Sequence, residues 1–567
     1  MQTPVDLSKE DIDLSVDGEN QPATRASADA GGGRLVGEIL EISGAGCVCT
    51  FNEDAREAAI SEGEAGSAMT GQMGSFMKVS VGDHCVFGVV RSLKEAGLGM
   101  HASLMAEVDF VGETTKMPDG RVMFRRGITK FPVPGQVFYT TTKDDLLAIF
   151  APHERAHVNV GNVYPTDDVP AALLIDPLLS KHFAVLGSTG CGKSSVVSLV
   201  VRKLIEEKPH GHILILDPHD EYAHAFKDCG IRFGVEDLQI PFWLMNMEEH
   251  IELFIGARTP ARETEVDILK RCLLNARRKG KPTYEQNRIT PDTPVPYLLS
   301  DLLAEMSKAM GRLDKAETAG PYMKLRAKIE ELKSDPRYAF LFSGFVVNDD
   351  LSGFLAQMFR FPADGKPVSI VDLSGVPAEI VNVIVAMLAR VVFDFALWSR
   401  NESEARPVLF ICEEAHRYVP EKAPEGADAA KRMLDRIAKE GRKYGVSLGL
   451  VSQRPADISE SVLSQCGTML AMRMNNERDQ KYVEKAMPEG SGTLLGSLPA
   501  LRNQECLVIG EGVAAPSRVQ IYNLPEELRP NSSNPEFSKS WGEPGGTADY
   551  VAKVVDRWRR SGRPSAD

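Results

Sequence analysis

The sequence predicts an α/β protein: a parallel sheet covered by helices on both faces, preceded by a small all-β unit and interrupted by a helical insertion. Three observations predict it. Short apolar runs recur from residue 182 onward: "HFAVLG", "HILILD" (212–217), "VSIVDL" (368–373), "PVLFIC" (407–412), "GVSLGLVS" (445–452), "GTMLAMRM" (467–474) and "ECLVIG" (505–510). Runs of this kind, alternating with helical segments, belong to strands buried on both faces. The first of them passes directly into a glycine-rich loop, "GSTGCGKSS", and then a helix over 194–207. From Arg34 to about Val111 the pattern differs: "RLVGEILEISGAGCVCTF" and "SFMKVSVGDHCVFGVVRSL" alternate and are broken by glycine, as in a small β-barrel or sandwich.

The 567 residues exceed what one core holds, so several folded units are expected. Residues 1–32 form an acidic, apolar-poor tail, 33–125 the all-β unit, and 126–244 with 361–525 the α/β core. Between the two core segments, 245–360 is charged and helical. Residues 526–567 hold a linker and a helix with Val551, Val554, Val555 and Trp558 on one stripe, to dock on its own core or on a neighbouring subunit. The net charge of −14 argues against a basic coat, though not against a local basic groove. "ARRKGK" (276–281) reads as a solvated face. Nine dispersed cysteines without a C-x-x-C pair indicate reduced thiols and a cytoplasmic protein. His210, His212, His219 and His224 have the spacing of no closed metal site. The N-terminus has no secretion signal. The apolar stretch 379–398 is interrupted by Arg390 and Asp394, so it is read as a buried core helix, and no membrane partner is expected.

The loop carries the chemistry. Gly187, Ser188, Thr189, Gly190, Cys191, Gly192, Lys193 and Ser194 satisfy G-x-x-x-x-G-K-[ST], with Ser195 following. Glycines let successive N–H groups converge on phosphate oxygens, and the helix behind them adds its positive end. Lys193 would reach the β and γ phosphates of ATP and Ser194 would hold Mg²⁺. Such a site needs acids at the end of a second strand. "VLFICEEAH" supplies Glu413 for the Mg²⁺ shell and Glu414 for the attacking water. Asp217, Asp220 or Glu221, in "DPHDEY", is a further acid near the γ-phosphate or else a turn and helix cap. Gln453 lies just past another strand, where a polar group senses the γ-phosphate. Arg442, in "KEGRKYGVS", reads by itself first as a solvated cation and second as an arginine finger reaching a neighbouring subunit.

Together "LLSKHFAVLGSTGCGKSS", "ILILDPHDEYA", "VSIVDLSGVP", "FICEEAHRYVP", "AKEGRKYGVSLGLVSQRPADI" and "LSQCGTMLAMRMNNERDQ" resemble, in order, the HerA family of hexameric ATPases, related to FtsK-type DNA translocases. The resemblance spans roughly residues 34–525 and implies a RecA-like P-loop core, an N-terminal HAS-barrel and a helical insertion after the second core strand. It also implies that Lys193 and Ser194 are the phosphate and Mg²⁺ residues, Glu414 the catalytic acid, Gln453 the sensor and Arg442 a finger acting in trans. Where related motors often have Asp, this chain has Glu413. The function so implied is an ATP-driven translocase or helicase: a homohexamer threaded by double-stranded DNA. Its partner would be a nuclease of the NurA type, or a sirtuin-like or other effector, in DNA end processing or phage defence. The competing reading is an ATP-switched scaffold that organises and licenses an effector. A conjugation-type ATPase on a membrane channel is disfavoured, for want of a membrane segment.

Overall fold

The computed structural model describes residues 32–55, 72–96, 103–117, 122–235, 237, 240–279, 281, 283–311, 316–342, 350–423, 428–487, 494–531, 537–542 and 546–560. The expected acidic tail thus lies, but for its last residue, outside the described residues.

The first sheet is built from β1 (Leu35–Ile42), β2 (Gly46–Phe51), β3 (Phe76–Val81), β4 (His84–Ala96), β5 (Ser103–Lys116), β6 (Val122–Arg126) and β7 (Val137–Thr140). All its pairings are antiparallel, in the order β2-β1-β7-β3-β4-β5-β6, and β2 also pairs with β5. That last pairing closes the sheet into a barrel, and β6 is left outside the closure as an extension of β5. Alternate residues such as Val36, Ile39, Cys49, Val79, Val90, Ala106 and Phe138 fill the interior. The barrel runs past the boundary at 125 that composition suggests. β7 follows a Pro/Gly turn that hides its membership, yet it fits between β1 and β3.

The second sheet contains β8 (His157–Val163), β9 (Pro170–Leu174), β10 (Phe183–Leu186), β11 (Ile213–Asp217), β12 (Gly230–Phe233), β13 (Val368–Asp372), β14 (Val408–Cys412), β15 (Val446–Ser452), β16 (Thr468–Met472), β17 (Glu505–Gly510) and β18 (Ser517–Ile521). Its order is β12-β13-β11-β14-β15-β10-β16-β17-β18-β8-β9. From β12 to β16 every pairing is parallel, which makes a RecA-like P-loop core. From β16 to β9 every pairing is antiparallel. "ECLVIG" therefore extends the sheet in the opposite sense to the parallel one expected. A buried apolar run has no direction written into it, so pairing sense is decided by the connections. The short edge strand β12, with Arg232 in it, has too little apolar pattern to be seen in advance.

Helices cover both faces. The helix Ala378–Ser399 begins directly after Pro377 and buries Ile380, Val383, Ile384, Met387, Leu388, Val391 and Val392. It is long and apolar enough to cross a membrane, but most of it is buried inside the protein. Arg390, which interrupts the stretch, lies 2.8 Å from Glu249 and donates 2.6 Å to the Leu244 carbonyl. The charge thus pins the helix Met247–Phe254, the first of an insertion that also includes Glu263–Arg278, Leu299–Met310 and Ala316–Ser334, to the core. "ARRKGK" is not the solvated face expected of it: Arg277 is fully buried and donates 2.7 Å to the Met245 carbonyl.

Two contacts bear on assembly. Arg126 on β6 donates to the carbonyls of Gly510 (2.6 Å), Val513 (2.6 Å) and Ala514 (2.8 Å), tying the barrel to the end of β17. Among the described residues the helix Ala548–Arg560 is not buried against the core: Val551, Val554 and Trp558 remain 53%, 40% and 76% exposed.

Candidate nucleotide site

β10 is four wholly buried residues between β15 and β16, and the loop 187–192 leaves its C-terminal end. Sterics explain the glycines. Gly190 and Gly192 have φ of 77° and 102°, and a Cβ on Gly187 would come within 2.8 Å of Cys191 Sγ and Met472 Cβ. The Ser188 N–H donates 2.9 Å to the Arg473 carbonyl, which anchors the loop to the end of β16. Cys191 is buried beneath the loop, whereas Thr189 and Gly190 are exposed on its outer side. Lys193 opens the helix Lys193–Glu207, with Ser194 and Ser195 half-buried behind it. Its buried ammonium has one short contact, 3.1 Å to the Ser188 carbonyl, and no ion pair among the described residues. A buried cation at the N-terminal end of a helix, beneath a glycine loop with Thr189 and Gly190 exposed, fits a polyphosphate.

Glu413 and Glu414 follow β14, as the sequence suggests, but they face different surroundings. Glu413 is buried, accepts 2.5 Å from the Tyr222 hydroxyl, and is pushed by burial up to about 8. Glu414 has φ 53° and ψ 43°, a left-handed conformation that a residue other than glycine holds only at some cost. This bend turns its carboxylate toward Gln453, whose side-chain amide donates 2.7 Å to Oε1. Burial pushes the Glu414 pKa up, but His416, Lys193 and His219 outweigh it and hold the group below the usual carboxylate range. His416 Nδ1 stands 3.1 Å from the buried Oε2 and is also 3.1 Å from Ser452 Oγ. A buried, ionised carboxylate is equipped to accept a hydrogen bond from a water and orient it. Gln453 also bonds through its Oε1 to the Thr189 hydroxyl, so loop, sensor and acid form one chain of contacts.

Of the three acids offered by "DPHDEY", two turn away from the loop and one meets it, and Arg442 lies apart. Asp217 is fully buried, and its carboxylate accepts from the backbone N–H groups of His219 (3.1 Å) and Tyr222 (2.9 Å), the contacts of a turn and cap. Asp220 pairs with Arg232 at 2.9 Å. Glu221 is the acid of that segment at the loop: it accepts 2.8 Å from Ser194 Oγ. Arg442 is exposed in the turn Gly441–Tyr444, at the N-terminal end of β15, whereas the loop and Gln453 lie at the C-terminal end. Seven residues of strand separate the two ends, roughly 20 Å, so Arg442 cannot reach its own chain's loop. Sequence reasoning did not find Tyr222, His219, His416 or the Arg473 carbonyl. Of these only His416 had a signal, a histidine two positions after the acid.

The family model "Helicase HerA, central domain" matches residues 158–392. The DNA double-strand break repair helicase HerA of Pyrococcus furiosus is 28% identical over 501 residues, covering 82% of this chain and 84% of the relative. The protein of the same name from Sulfolobus acidocaldarius is 28% identical over 423 residues, covering 72% and 77%. Among solved structures, VirB4 of Thermoanaerobacter pseudethanolicus is similar with a TM-score of 0.48 at 16% identity, covering 66% of this chain and 98% of that one.

Proposed function

We propose that this ATP hydrolase, a HerA-family chain by its central domain, is a ring-shaped motor that moves along double-stranded DNA in the service of an effector subunit. One observation carries the ring. Phosphate loop, acid and sensor are gathered at one end of the sheet, and the exposed Arg442 stands at the other. In a closed ring of like subunits, that arginine would complete the neighbour's site, and hydrolysis would depend on assembly. The DNA substrate rests on the kinship with repair helicases named HerA. A nuclease or other effector as the partner, and a role in end processing or phage defence, are carried by the motif resemblance alone.

The residues divide the work. The loop N–H groups and Lys193 would bind the triphosphate and balance the charge that grows on it in the transition state. Mg²⁺, held by Ser194 with a nearby carboxylate, supplies Lewis-acid neutralisation of the phosphates when bound. Glu414 would hold and orient the water, taking its proton at Oε2. Gln453, bonded to both Glu414 and Thr189, would register whether the phosphate position is filled.

ATP hydrolysis is measured with and without linear duplex DNA, alongside the mass of the protein in solution. A ring whose turnover rises with DNA supports the motor. A ring indifferent to DNA overturns it in favour of an ATP-switched scaffold.

A further inference from the structure

Ser194 and Glu413 are the pair that motif logic assigns to Mg²⁺, yet they do not meet. Ser194 Oγ donates 2.8 Å to Glu221 Oε2 instead. Glu413 is directed elsewhere, 4% exposed, with Oε2 taken by the hydroxyl of Tyr222. One turn produces both arrangements. The Asp217 carboxylate accepts from the backbone of His219 and of Tyr222, which fixes the path from the end of β11 to the short helix Tyr222–Ala225. That path sends the Tyr222 side chain inward against Glu413 and leaves Glu221, the residue before it, half-buried at the mouth of the phosphate loop. The Glu221 carbonyl accepts 2.9 Å from the Asn531 N–H, so the backbone is held from outside as well.

We propose that Glu221, in place of Glu413, is the carboxylate that this chain brings with Ser194 to the Mg²⁺ of a bound nucleotide. The inference rests on the nucleotide reading of the loop and goes beyond it in reassigning the metal acid. A hydroxyl that gives its proton to a carboxylate keeps a lone pair free for a cation. Mg²⁺ retains several waters and takes one or two carboxylates beside phosphate oxygens. The half-exposed Glu221 can serve that hydrated shell; the buried Glu413 would first have to break its bond to Tyr222.

The test uses the full-length chain and a fluorescent ADP, with dissociation constants measured in Mg²⁺ and in EDTA. Wild type is expected to bind more tightly in Mg²⁺. Glu221→Gln should lose that gain by about tenfold or more while its EDTA value stays near wild type. Glu413→Gln should keep the gain. The reverse pattern, or a gain untouched by Glu221→Gln, overturns the proposal. Should Glu221→Gln melt early, Glu221→Asp keeps the charge on a shorter arm and is expected to weaken the gain alone. Lys193→Ala separates the two levels: if it binds ADP in EDTA like wild type, the loop is not the nucleotide site and the wider reading fails. If Lys193→Ala loses binding and Glu221→Gln retains the gain, only the metal assignment fails.

Discussion

Strand β15 has one polar outpost at each end, and the two are built on opposite principles. At the C-terminal end Gln453 is half-buried and bonded on both sides, to Thr189 and to Glu414. At the N-terminal end Arg442 is exposed, on a turn that also leaves Lys443 in solvent. The first end is wired internally to its own chain's loop. Among the described residues the second has no such wiring, as suits a group whose proposed partner is on another molecule. On the function proposed above, one subunit would hold most of a hydrolytic site and offer the missing cation outward.

Four substitutions test this contrast, in order of expected effect. Lys193→Ala should abolish nucleotide binding and turnover together, by fluorescent-nucleotide titration and phosphate release. Retained binding would remove the loop from the chemistry. Arg442→Ala should bind ATP normally yet lose about a thousandfold in kcat. Mixed rings with a subunit that supplies the arginine but lacks Glu414 should regain turnover, and absence of rescue would put Arg442 to work within its own chain. Glu414→Gln should also bind ATP, with turnover down by about a hundredfold or more; near-normal kcat would show that another group manages the water. Lys443→Ala is the smallest change. As an exposed neighbour of Arg442 it should shift stability by no more than about 0.5 kcal/mol and leave turnover close to wild type. An effect equal to that of Arg442→Ala would mean that general positive charge, rather than one guanidinium, matters there.

The same contrast explains what could be read in advance. Strands such as "FAVL" and "ILILD", buried on every residue, declare themselves by composition, and the loop declares itself by glycine spacing and its lysine. The meeting of Ser194 with Glu221 is legible only in part, because "DPHDEY" offers three acids and the turn selects among them through backbone bonds to Asp217. The bond from Tyr222 to Glu413 spans 191 positions and leaves no local trace. The Ala548–Arg560 helix is amphipathic as its spacing predicts, but amphipathicity records that a helix has an apolar side and is silent on what covers it. The antiparallel half of the large sheet escaped for a similar reason: a strand's apolar pattern is the same in either direction.

Arg126 grips three carbonyls where β17 ends, and β17 is hydrogen-bonded along its length to β16, the immediate neighbour of the strand that launches the phosphate loop. The barrel is therefore geared to the loop through a short, stiff train of backbone bonds. The same junction is closed by apolar contact, with Phe76, Phe87 and Val89 of the barrel buried in one cluster with Val158, Phe183 and Val185 of the large sheet. Barrel and phosphate loop are thus neighbours in one continuous scaffold, two strands apart, with Arg126 at the seam.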